Sequence, residues 1–199
     1  MTISSISISS RCTRIAIFAA GIILIGLLLP HAAGAQVRVG SDSSTRLNRY
    51  GRDLAFGTVM GFAYAGVDQW RNDPPEWGRG GSGYSKRLAS NVGEFVIQET
   101  VTDILAAAAK RPLDYQPSPH DETSARVGWA LQQAVTDRMP DDTHPVAFPR
   151  IIGAYAGSFA QAAWRPNNGG SSRTRIALVN GTTSLIVGAG INLYHEFRR

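Results

Sequence analysis

Thiol chemistry is nearly absent from this chain: its 199 residues include one cysteine, Cys12. A lone cysteine cannot close a disulfide within the chain, so a disulfide-stapled scaffold is excluded. From residue 36 onward there is no thiolate nucleophile and no thiolate metal ligand. Charge is also sparse. Charged residues make up 18% of the sequence, and no extended Lys/Arg run or aromatic-basic stripe occurs. The pI of about 9.8 is therefore not a nucleic-acid footprint. The G-x-S-x-G elbow and the P-loop spacing G-x-x-x-x-G-K-[ST] are missing as well. Composition and length, 43% apolar over 199 residues, fit one globular domain. The sequence specifies no biochemical activity; it does carry an address and an architecture.

The address is N-terminal. Residues 1–14 hold Arg11 and Arg14 and no acid, and Ile15 to Leu29 is an unbroken apolar or small run. Ala33-Gly34-Ala35 before Gln36 has the form of a cleavage site, so the segment is expected to be a secretory signal peptide. As an uncleaved anchor the apolar run would rise only about 22 Å, against a hydrocarbon core of roughly 30 Å. A lipoprotein would need cysteine where Gln36 stands. The predicted organisation is a signal peptide over 1–35, a flexible leader over 36–44 and a single helical domain over 45–199. Without Arg11 and Arg14 the 20 basic residues fall to 18 against 15 acidic, a net charge of only +3.

Apolar segments split by Pro and Gly follow. A helix is expected from Ser44 or Thr45 to Trp70, stopped by Asn72-Asp73-Pro74-Pro75. Glu76 to Tyr84 reads as a Gly-rich loop. Ser85 to Lys110 has small or apolar residues at Ala89, Gly93, Ile97, Val101, Ile104, Leu105 and Ala108, a helical stripe that leaves Glu94 and Gln98 off it. Leu113 to Asp121 reads as loop. Glu122 to Met139 is a third helix with Val127, Ala130, Leu131, Ala134 and Val135 inward, and Arg150 to Trp164 is a fourth. Asn167 to Ser172 is a turn cluster. Arg173 to Phe197 fits a helix with Ala177, Gly181, Ser184, Gly188 and Asn192 on one thin face. Its Asn180-Gly181 also fits a hairpin turn; helix is favoured because the other segments need a helical partner. The fold class expected is all-α, a compact bundle of about five helices with Gly/Ala-rich close-packed faces.

Glycine carries the strongest compositional signal. Removing Gly21, Gly26 and Gly34 from the 21 leaves 18 among residues 36–199, or about 11% against a usual 7% or so. Gly57 and Gly61, followed by Ala65, form one G-x-x-x-G, and Gly153 and Gly157 form another; Gly188 follows Ser184 at the same spacing. An interior glycine costs a helix about 1 kcal/mol relative to alanine, a cost tolerated where a second backbone comes close. Gly57, Gly61, Gly93, Gly153, Gly157 and Gly188 are the predicted helix-packing positions. The apolar stretches 54–67 and 151–164 are about fourteen residues each, short of the roughly twenty that cross a bilayer. Trp70-Arg71 and Trp164-Arg165 end these two helices. The pairs resemble interfacial anchors, but two helix ends covering a soluble core is the favoured reading.

Candidate chemistry is thin. His120-Asp121-Glu122 and Asp141-Asp142-Thr143-His144 offer metal-ligand types, but a helix of about 27 Å is expected between them. Each alone has too few ligands, so no metal site and no cofactor is predicted. Gly80, Gly81 and Gly83 with Arg79, Lys86 and Arg87 are the anion-binding candidates, with the amides of the following helix start beside them. Glu94, Glu99 and Asp103 are expected to form structural ion pairs with Arg126, Arg150 or Arg87.

Trp77-Gly78-x-Gly80-Gly81-x-Gly83-Tyr84-x-Lys86-Arg87, Arg150-Ile151-x-Gly153-Ala154-x-x-Gly157 with Trp164-x-Pro166, and Asn192-Leu193-x-x-Glu196-Phe197 together resemble a family of small exported bacterial proteins of unknown function. The resemblance spans about residues 50–198. Where that family has an Asp-Pro-Arg-Tyr stretch this chain has Leu113-Asp114-Tyr115. The resemblance implies an exported, mainly helical protein of the cell envelope and no mechanism. Two function classes follow. The first is a non-enzymatic envelope bundle, in the periplasm or outer membrane, that contacts a membrane or a second copy of itself through small-residue faces. The second is a periplasmic enzyme or binding protein for an anionic substrate, in which Arg79, Lys86 and Arg87 converge with His120 or His144. Nucleic acid is not an expected partner. Intact-mass analysis of the exported protein should give a chain beginning at Gln36; a species retaining Met1 would contradict the signal-peptide reading.

Overall fold

The computed structural model describes residues 43–166 and 172–198. The expected signal peptide (1–35), the leader residues 36–42 and the turn residues 167–171 lie outside the described residues. Among the described residues there are five α-helices: α1 Ser43–Arg71, α2 Gly81–Ala108, α3 Thr123–Gln132, α4 Phe148–Trp164 and α5 Arg173–Phe197, with a 3-10 turn at Pro75–Trp77. The fold is all-α, as the sequence predicts, and among the described residues the extended structure is a single antiparallel bridge between Thr136 and Val146. The last segment is one helix, not a hairpin. Ser172 starts it by accepting the Arg175 N–H at 3.1 Å, which satisfies one of the orphan donors of the first turn.

The four long helices form a row. α2 packs on α1 and α4, α4 packs also on α5, and α5 carries α3; α1 does not closely approach α4 or α5. Successive neighbours run antiparallel. The Tyr50 hydroxyl meets Thr100 Oγ1 at 2.8 Å and Gln69 Oε1 meets Arg87 at 2.7 Å. Ser158 reaches Glu94 and Gln161 reaches Ser90 across the next seam. Asn180 reaches Gln161 across the last one. A row one helix thick encloses no central volume, so burial is confined to the seams.

Glycine sets those seams. A Cβ at Gly61 would stand 2.7 Å from Val92 Cγ2, and one at Gly57 would overlap the Phe95 ring. At Gly153 it would lie 2.7 Å from the Gln98 carbonyl and at Gly157 2.6 Å from the Glu94 carbonyl. These are backbone atoms that cannot swing aside. Gly181 receives the Tyr155 ring in the same way. Gly93 is less tight, with Trp164 Cζ2 at 3.5 Å, and Gly188 differs from expectation, since a Cβ there would meet nothing within 4 Å.

The fully buried side chains are small or hydrogen-bonded, apart from Met60, while Val92, Phe95 and Tyr155 sit half-buried on the seam glycines. Among the described residues the buried hydrophobic ones are Met60 and eight alanines: Ala65, Ala106, Ala130, Ala134, Ala147, Ala154, Ala162 and Ala177. Arg87, Ser90, Thr102, Gln133, Asp137, Ser158, Gln161 and Glu196 are buried with them. Bulky apolar residues point outward instead, including Val59, Phe62, Val96, Ile104, Ile152, Phe159, Leu178, Val179 and Ile186.

Several expectations are corrected here. In α2 the predicted inner stripe is partly inverted. Ala89, Ile104 and Ala108 are exposed, while Glu94 and Gln98, expected off the stripe, meet the glycine face of α4. The seam partner is glycine, so the facing residues are those whose backbone and first side-chain atoms fit there, whatever their polarity. α2 starts at Gly81 rather than Ser85, absorbing half the Gly-rich loop. The third helix stops at Gln132 rather than Met139 because Asp137 N–H donates to the Pro145 carbonyl at 2.9 Å and Ala147 N–H to Val135 at 2.8 Å. Those bonds fold 133–147 back on itself and leave Leu131 and Val135 exposed. Of the two tryptophans that end helices, Trp70 is 72% exposed, and Trp164, 44% exposed, lies against Gly93 and donates to Ser90.

Gly153→Val and Gly157→Val should each cost about 3 kcal/mol in thermal unfolding followed by circular dichroism. Gly188→Ala should be neutral or stabilise by up to about 1 kcal/mol. Equal costs at the three positions would contradict the seam assignment.

Candidate functional site

Chemistry-bearing side chains gather at the two ends of the row. At the first end, the chain must reverse between α1 and α2. Asn72 takes a positive φ of 55°, Asp73–Pro74 is a cis peptide, and Gly78 takes φ 71°. The reversal leaves a ring of carbonyls that no helix satisfies, and Arg87 fills it. Its Nε donates to the Asp73 carbonyl at 2.9 Å. Nη1 donates to Gln69 Oε1 at 2.7 Å and the Gly78 carbonyl at 2.6 Å. Nη2 donates to Asn72 Oδ1 at 3.4 Å and the Pro74 carbonyl at 2.7 Å. All five donors of the guanidinium are used. Gly83 lets this loop lie against α2, since a Cβ there would overlap the Trp77 and Gly78 carbonyls.

The anion candidates are thereby separated. Arg87 is fully buried and committed to the loop, and Gly83 is a packing position. Gly80 caps α2 with extended backbone, and Gly81 opens the helix. Arg79 and Lys86 remain exposed beside them. No histidine joins this group. His120 and His144 both lie against Trp129 of α3, at ring-centroid distances of 5.9 Å and 5.3 Å. This corrects the expected separation of the two histidine segments: the short α3 and the folded-back 133–147 bring both imidazoles to one indole. Among the described residues, no three His, Cys, Asp or Glu side chains gather into a metal-binding set.

The opposite end is organised by Glu196. Its buried carboxylate accepts from the Tyr115 hydroxyl at 2.6 Å, Ser118 N–H at 3.0 Å and Arg126 Nε at 2.7 Å. Burial pushes this carboxyl up, but the bonds from Tyr115, Arg126 and Ser118 outweigh it and hold the group below its usual range. A cleft of about 120 Å³ lies beside it, lined by Tyr115, Gln133, Arg150, Gly188 and Asn192 among others. Thus the Leu113–Tyr115 stretch, the start of α4 and the end of α5, far apart in sequence, meet around one small space. Gly188 belongs to the cleft rather than to a helix seam. The polar groups are already engaged. Asn192 donates to the Ala130 carbonyl at 3.2 Å, Arg150 Nη1 to the Gln133 carbonyl at 2.5 Å, and Gln133 bonds the Gln116 backbone. These bonds fasten loops to helices and present no activated nucleophile.

Charge is concentrated between α1, α2 and the start of α4. Arg49 pairs with Asp103 and, at 3.2 Å, with Asp53. Arg126 pairs with Glu196 and Arg150 with Asp137, at 3.5 Å, rather than with the acids of α2 as expected. Glu94 accepts from Ser158 at 2.8 Å. Burial, reinforced by Asp53 and opposed by Arg49, pushes the Glu99 carboxyl up to about 7. Burial likewise raises Asp53, Asp68, Glu94 and Asp137. Sequence reasoning missed Gln161, Ser158, Thr102 and Glu196 as interior residues. Thr102 lies against Gly153 and Glu196 against Arg126, while Ser158 and Gln161 meet polar partners on α2 and α5 that helical spacing does not reveal.

No family model, curated protein or solved structure matches the chain.

Glu99 keeps its proton to about pH 7 when folded, against a usual 4.5. The folded state binds more protons between these values, so stability falls as pH rises through them. The melting temperature should drop between about pH 5 and 8, and Glu99→Gln should flatten part of that slope. Identical slopes in the two proteins would contradict the assignment.

Proposed function

We propose that this chain is an exported, non-enzymatic envelope protein that associates with a membrane through the bulky apolar outer faces of its helices. The observation that carries the reading is the inverted distribution of side chains. Burying a leucine, isoleucine or phenylalanine contributes about 1.5–3 kcal/mol in water, yet the seams bury alanine, Met60 and polar groups while Val59, Phe62, Ile104, Ile152, Leu178 and Ile186 face outward. Small residues between helices, interhelical hydrogen bonds and bulky residues outside is the pattern by which helices associate in lipid. A row of helices one layer thick also lacks the second layer that a water-soluble domain uses to cover its apolar faces. α5 is long and apolar enough to cross a membrane by length and composition, and only 11% of its most apolar window is buried.

The surface offered to the membrane is not the glycine face. Gly57, Gly61, Gly153 and Gly157 are occupied within the chain, so the outer faces carry the contact. Export and an envelope location, periplasmic or outer-membrane, rest on the signal-like N-terminus and on the resemblance to small exported proteins. The anionic-substrate alternative is weaker, because Arg87 is committed to loop carbonyls and the histidines lie at the other end of the row.

Fractionation tests the reading. The processed protein should pellet with membranes after a high-salt wash and resist extraction by alkali. Recovery wholly in the soluble fraction would overturn it.

A further inference from the structure

Three of the four tryptophans stand at one end of the row. α1 and α4 both run antiparallel to α2, so the two Trp-Arg helix ends lie at the same end of the row. Arg165 bonds Asp68 at 3.1 Å and lies 6.0 Å from the Trp77 ring centroid. Trp164 Nε1 donates to Ser90 Oγ at 3.0 Å, and Arg173 donates to the Ala163 carbonyl at 3.3 Å. This end therefore carries Trp70, Trp77 and Trp164 together. Trp70 and Trp164 are exposed and Trp77 is half-buried. Trp129 is the remaining tryptophan, at the other end on α3.

The same end is cationic. Arg71, Arg79, Lys86, Arg173 and Arg175 are exposed there, against the exposed acids Asp73 and Glu76; Asp68 is held by Arg165. Directly below this rim, within about two to three helical turns, Phe62, Phe159, Leu178 and Val179 face outward. Indole rings with one polar edge favour the membrane–water interface. Basic side chains beside them are attracted to anionic headgroups, and an apolar band just below matches the depth of interfacial burial.

Resting on the membrane reading above, we infer that this tryptophan–arginine rim is a docking surface for the headgroups of an anionic phospholipid bilayer, with the band at Phe62, Phe159 and Leu178 entering the acyl region beneath. The rim selects charge through Arg79, Lys86 and Arg175, whose side chains the fold leaves exposed and does not use to join helices. This charge complementarity, rather than the apolar faces alone, identifies the occupant.

The test is flotation of the processed protein with vesicles of phosphatidylglycerol and phosphatidylcholine, compared with vesicles of phosphatidylcholine alone. Binding to the anionic vesicles is expected to be tighter by about tenfold or more, to weaken with added salt, and to blue-shift tryptophan emission. The triple variant Arg79→Glu, Lys86→Glu, Arg175→Glu should retain its helical circular dichroism and fall to the level of binding seen with phosphatidylcholine. Equal binding to both vesicles, unchanged in the variant, would overturn the headgroup inference and leave the membrane reading standing. Binding to neither, with a soluble oligomer in its place, would make a second copy the occupant and overturn both.

Discussion

The close approach of α2 to α4 is the constraint on which the other features depend. Gly153 and Gly157 bring α4 so near that the Gln98 and Glu94 carbonyls would sit 2.7 Å and 2.6 Å from an added Cβ. A seam this tight has no room for leucine or phenylalanine. The residues that fit are glycine, alanine, serine and threonine, or longer side chains whose polar ends find partners. Gln161 is the clearest case, donating to Asn91 Oδ1 at 3.1 Å while accepting from Asn180 at 3.2 Å, so that one buried amide ties α2, α4 and α5 together. An unpartnered amide there would cost about 1–3 kcal/mol, so the hydrogen bonds are a condition of the tight seam rather than an addition to it. That seam excludes bulky apolar side chains, while Val92 and Phe95 sit half-buried on the glycines of α1 and many others face outward.

The ends of the row are fixed differently. Each has one ionised side chain buried among hydrogen-bonding groups that the helices do not satisfy. Arg87 collects the carbonyls of the reversal between α1 and α2, and Glu196 collects the donors of the Tyr115–Ser118 loop and Arg126. Both belong to segments rich in punctuation, where backbone groups would otherwise be buried without partners. The first end leaves its other cations at the surface beside three tryptophans. The second places Tyr115, Gln133, Arg150 and Asn192 around a small cleft and exposes the acids Asp121, Glu122, Asp141 and Asp142. The proposed membrane contact uses the first of these ends, where exposed cations outnumber exposed acids beside the tryptophans.

Much of the architecture was legible in the sequence, because proline, glycine and helical spacing report on the chain locally. The two G-x-x-x-G pairs located the close seams, and Pro74-Pro75 and Pro166 located the reversals. The orientation of α2 was not legible. Its apolar stripe at Ala89, Ile104 and Ala108 points inward only if the protein buries its largest apolar residues, and here the seams bury the smallest. Gly188 shared the spacing of a packing glycine but faces the cleft, which depends on how Leu113 and Arg150 fold over it. The histidines were expected far apart because 133–139 continues the helical pattern of α3; the bonds from Asp137 and Ala147 that reverse it are invisible in periodicity. Arg87 read as an anion ligand because its loop looks open, and its role followed only once the carbonyl ring was in place.

Residues 36–199 contain no cysteine, so single nitroxide labels can be introduced without a background thiol. The direct measurement is their accessibility, in lipid vesicles, to oxygen and to a water-soluble nickel chelate, at Phe62 and Ile186 against Ala65 and Ala177. The account predicts free collision with oxygen at Phe62 and Ile186, little contact with the chelate there, and immobilised, inaccessible labels at Ala65 and Ala177. Immobilised labels at Phe62 and Ile186, with mobile and chelate-accessible ones at Ala65 and Ala177, would mean that the bulky residues form a conventional core and would contradict it.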